Sequence, residues 1–71
     1  VTFDALFTKI VIRMSDHADV FVRASAVACL QHVPADQALD LAATLVCDPE
    51  LWVRDEASVL LAALGGRGRL P

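Results

Sequence analysis

Residues 48–61 read Asp48-Pro49-Glu50-Leu51-Trp52-Val53-Arg54-Asp55-Glu56-Ala57-Ser58-Val59-Leu60-Leu61. Asp48-Pro49-Glu50 is a helix start: an aspartate accepts from free N–H groups, and a proline stands where it has no hydrogen bond to lose. Glu50 adds an acid near the positive helix end. Val53, Ala57, Leu60, Leu61 and Leu64 then recur at helical spacing, and Gly65-Gly66 offers a terminator. The same order stands 31 residues upstream, with Val22-Arg23 on Val53-Arg54, Ala26 on Ala57 and Leu30 on Leu61. Asp19 falls on Glu50, Val20 on Leu51, Phe21 on Trp52 and Val33 on Leu64. The preceding segments align at the same shift, Phe7 with Ala38, Ile10 with Leu41 and Met14 with Leu45. The loop acids Asp16 and Asp48 are 32 residues apart, which places a one-residue slip in the turn.

Outward from this pair, the periodicity predicts four helices. The first runs from Phe3 to Met14 with Thr2 as N-cap, carrying Phe3, Phe7, Ile10, Val11 and Met14 on a stripe that Leu6 widens. The second runs from Ala18 to His32, capped by Ser15 or Asp16, with Val22, Ala26, Cys29, Leu30 and Val33 on one side. The third runs from Pro34, in its first turn, to Cys47, with Ala38, Leu41, Ala42 and Leu45 inward. Short loops make successive helices antiparallel αα-hairpins. The expected fold is all-α: two hairpins, residues 1–33 and 34–64, stacked because one hairpin cannot bury both of its apolar faces. Residues 65–71 read as a flexible glycine-arginine tail or linker.

The unit of helix, short turn and helix resembles the HEAT-repeat family, whose second helix reads acid, Val-Arg, Ala, then Leu. Here that is Asp16, Val22-Arg23, Ala26 and Leu30, and again Asp48, Val53-Arg54, Ala57 and Leu61. The short period is similar to that of phycobilin lyase-type repeat proteins. The resemblance implies an α-solenoid scaffold that binds protein partners or stacks on neighbouring repeats. Arg23 and Arg54 can reach the loop acids or the neighbouring unit's acids and form a ladder, or can stay solvated on amphipathic helices. Phe21 and Trp52 share a repeat position, so they either pack between units or anchor a partner.

Composition narrows the function. Of the 71 residues, 56% are apolar and only 6% aromatic, which excludes a disordered segment and argues against an all-β domain. Arg67 and Arg69 hold two of the six positive charges, leaving four positive against nine negative on residues 1–64. That balance repels phosphate, so no nucleic acid is expected. Arg13, Asp19, Arg23, Asp36 and Asp40 interrupt every apolar run, so no membrane span is expected. Cys29 and Cys47 make no disulfide framework, no charged-then-apolar signal opens the chain, and a reducing, cytoplasmic compartment follows. The chain begins with Val1 and reads as part of something longer.

Candidate chemistry is sparse. Cys29, His32, His17 and Cys47 lack the close ligand pairs of a zinc site and read as core cysteines and solvent-facing histidines. Ser25 and Ser58 lie mid-helix without a nucleophile elbow, and Asp36, Asp40, Asp55 and Glu56 read as solubilising carboxylates. No metal, cofactor or catalytic residue is assigned, and the expected function is a protein–protein interaction module rather than an enzyme. Two rivals remain: part of a phycobilin lyase-like enzyme, and a nucleic-acid-binding HEAT-like domain, which would need a basic concave face. Phe3, Leu6, Phe7 and Ile10 leave an apolar face on the first helix, so the chain is expected either to form a homodimer through it or to dock another segment there.

Overall fold

The computed structural model describes residues 2–68 of the chain, and among them there are four α-helices and no strand. Helix α1, Phe3–Ser15, starts where the Thr2 hydroxyl accepts from the Ala5 N–H at 3.1 Å. Helix α2, Val20–Cys29, starts later than expected, and its cap is neither Ser15 nor Asp16. Asp19 takes that role, its carboxylate accepting from the Phe21 N–H at 2.8 Å and its carbonyl from the Arg23 N–H at 3.1 Å.

α2 also ends early, in a 3-10 turn at Leu30–His32. The cause is Pro34, whose ring disfavours helical backbone at the residue before it. Val33 is extended, at φ −103° and ψ 148°, and the last turn tightens to reach it. Pro34 itself lies outside helix α3, Ala35–Leu45, rather than in its first turn: at ψ 139° it is not helical, and its carbonyl accepts from the Ala38 N–H at 2.9 Å. Helix α4, Leu51–Gly68, starts two residues later than the Asp48-Pro49 signal places it, with the Glu50 carbonyl accepting the Arg54 N–H at 3.1 Å. It runs through Gly65 and Gly66 instead of stopping there. Glycine permits a left-handed terminator without enforcing one, and no glycine among the described residues has a positive φ. The expected tail is therefore helical backbone through Gly68, and residues 69–71 lie outside the described part.

Helix α1 packs on α2 and α3 on α4, while α2 also contacts α4 and α1 more sparsely contacts α3. The molecule is a slab of 37 × 33 × 14 Å. Its thickness is what two helix layers need at an axial separation of about 8–10 Å. Between the layers sit Val11, Ala26, Val27, Leu30, Val33, Ala38, Ala42, Leu45, Val53, Ala57 and Leu64, with Leu30 and Leu45 the largest side chains to be fully enclosed. Four of these are alanines without any exposure, which lets helix backbones approach while the leucines fill the space beside them. On α1 the inward line is Phe7, Thr8, Val11 and Met14, so Phe3 and Ile10 face solvent.

Candidate interaction surfaces

The loop ends of the two helix pairs are joined by one arginine. Arg23, one turn into α2, donates from Nε to Asp48 Oδ2 at 2.6 Å and from Nη2 to Asp48 Oδ1 at 3.1 Å. Its Nη1 donates back to the His17 and Ala18 carbonyls at 2.9 and 3.0 Å. Asp48, only 7% exposed, also accepts the Glu50 N–H on Oδ1 at 2.9 Å. A planar guanidinium facing a carboxylate in this fork geometry is the strong form of the ion pair. The hydrogen bond from Arg23 holds the Asp48 carboxyl below the usual range against the opposing effect of burial, and the Glu50 N–H and Arg54 charge add to it. The same hydrogen bond raises the Arg23 guanidinium.

Arg54 repeats half of this arrangement 31 residues on. Its Nη1 donates to the Asp48 and Pro49 carbonyls at 2.7 and 3.0 Å, the positions equivalent to His17 and Ala18. The loops correspond in the same way: His17 Nδ1 accepts the Asp19 N–H at 3.0 Å, as Asp48 accepts that of Glu50. The residue standing in the place of Asp48 is thus His17, and the expected one-residue slip in the turn is absent. Asp16 is exposed, and its carboxylate has no hydrogen-bond partner among the described residues. The alignment of Asp19 with Glu50 was the signal for the true cap, since both fall immediately before their helices.

Phe21 and Trp52 meet edge to face, ring centroids 5.4 Å apart, and both remain largely exposed. On α1, Phe3 and Phe7 stack at 6.3 Å, and Phe3, Leu6 and Ile10 are exposed. An open cleft of about 440 Å³ lies between the loops, bordered by Asp16, His17, Arg23, Thr44, Cys47 and Asp48. Cys47 is exposed, not a core residue as expected: α3 ends at Leu45, which turns the thiol out of the apolar stripe. Cys29 is half-buried, and His17 and His32 are exposed. Among the described residues no group of three or more His, Cys, Asp or Glu is placed to hold a metal, and no helix is long and apolar enough to cross a membrane.

No protein-family model, curated protein or solved structure matches the chain.

Proposed function

We propose that the chain is a protein–protein interaction module built from two HEAT-like antiparallel hairpins, stacked as units of an α-solenoid. The observation that carries this reading is the recurrence of the arginine clasp at a 31-residue interval. Arg23 grips its own loop with one nitrogen and the next unit's aspartate with the other two. Arg54 is held by its own loop in the same way, and in a longer solenoid its remaining edge would meet the acid of the next unit. Stacking of this kind generates long surfaces for partners, since each unit touches only its neighbours. At the opposite end, exposed Phe3, Leu6 and Ile10 provide an apolar face for a second copy of the chain.

Appending a second copy of residues 34–64 after residue 64 tests the reading. Stacking predicts one cooperative denaturant transition with a higher midpoint, and a larger loss on Arg54→Ala in the extended chain than in the chain of 71 residues. Two separate transitions, or an unchanged midpoint, contradict it.

A further inference from the structure

The solvent side of the α2–α4 pair combines apolar and acidic groups in one strip. Phe21 and Trp52 stand at its N-terminal end, in edge-to-face contact and still 66% and 48% exposed. One to two turns further along, a shallow groove of about 210 Å³ follows the seam, bordered by Val27, Ala28, Gln31, Glu56 and Val59. Val59 is 69% exposed. Among the residues whose side chains are described, the charges flanking this strip are Asp19 and Glu50 at the helix starts and Asp55 and Glu56 on α4, all exposed. The two arginines of these helix starts are turned to the loops, Arg23 onto Asp48 and Arg54 onto the Asp48 and Pro49 carbonyls.

We propose that the α2–α4 face docks a basic amphipathic helical segment of a partner protein, with its aliphatic side chains along Trp52, Phe21 and the Val59 groove and its Lys or Arg residues over Asp55 and Glu56. The occupant follows from charge complementarity. An apolar strip edged with carboxylates selects a ligand whose apolar stripe is edged with cations, and it repels an acidic one. The aromatic pair adds to the selection, because a cation over the face of Trp is attracted by the ring quadrupole. The inference rests on the interaction-module reading and specifies the partner that reading leaves open.

Trp52 is the only tryptophan, so its emission reports on this face directly. The probe is an amidated Lys/Leu peptide of about 14 residues, roughly four helical turns, with leucines on one stripe; the control replaces every Lys with Glu. The complete chain is expected to give a saturable emission change with the Lys peptide and none with the Glu peptide. Reversing both charges in the variant Asp55→Lys/Glu56→Lys is expected to weaken binding about tenfold. Both positions are exposed, and unchanged helical circular dichroism verifies that the variant folds. A missing response to the Lys peptide, an equal response to the Glu peptide, or undiminished binding by the folded double variant overturns the proposal. The extended-chain unfolding experiment does not involve this face, so its success beside a failure here would leave the stacking intact and remove only this partner.

Discussion

Arg23 reaches across 25 positions of sequence to close on Asp48 through two hydrogen bonds, of 2.6 and 3.1 Å. That contact ties the start of α2 to the loop before α4, with the Arg23 side chain 13% and the Asp48 side chain 5% exposed. Removing either partner leaves the other in a part-buried site without its counter-charge, so either truncation destabilises.

The pair gives stability a defined pH dependence. Asp48 has a carboxyl pKa depressed by folding. Its contribution is therefore complete above the unfolded aspartate value of about 3.9 and fades as pH falls through that value toward the folded one. Asp48→Asn keeps the shape and loses the charge. The stability gap between the parent chain and this variant is expected to be constant from about pH 6 to 8 and to narrow below about pH 4. Denaturant midpoints across this range measure it. A gap that is unchanged down to about pH 2.5 contradicts the assignment.

The two cap positions separate in a second comparison. Asp19→Ala removes the acceptor for the Phe21 N–H and is expected to cost about 0.5–2 kcal/mol. Asp16→Ala removes an exposed carboxylate without a partner among the described residues and is expected to stay within about 0.5 kcal/mol. Equal losses in thermal melts would show that the cap lies elsewhere.

Much of this fold was legible in the sequence, and the parts that were not have local causes. The inward faces of α3 and α4 followed from Ala38, Ala42, Leu45, Val53, Ala57 and Leu64, because a 3.6-residue period survives any uncertainty at the helix ends. Val27 and Thr8 were missed because each lies beside the stripe read on its helix: Val27 shares a groove with Leu60 of α4, and Thr8 shares one with Pro34 and Gln37. The boundaries failed where two signals competed. Ser15, Asp16 and Asp19 are all good caps, and the structure uses the one immediately before Val20. The joining contact was half visible, since Arg23 invited an acid from the loops, yet nothing in one sequence distinguished Asp48 from Asp16. His17 gave no signal at all, because its acceptor nitrogen does there what the Asp48 carboxylate does in the other loop.

The alanines set the distance between layers. Ala26 and Ala57 are equivalent in the repeat and fully buried. Replacing either with Leu adds three carbons to a site without room for them and is expected to cost about 1–3 kcal/mol. Unchanged melting midpoints for both variants contradict the close approach of the helices.

The α1 face makes oligomeric state measurable. Phe3 is 77% exposed and Leu6 and Ile10 are each 49% exposed, on a helix whose other side is already packed. The chain is expected to dimerise there, burying about 800 Å² per partner for a specific contact. Leu6→Glu is expected to give a monomer, because dimerisation then buries an unpaired charge. Light scattering that finds the parent chain monomeric at high concentration removes this interface.

The central claim is that the two units lie side by side in one register, with α2 against α4. The most direct measurement is the set of nuclear Overhauser contacts made by the indole of Trp52. Ring centroids 5.4 Å apart predict contacts from the indole protons to the Phe21 ring across the unit boundary. Contacts confined to residues of α4 and its own loop would contradict the stacked arrangement.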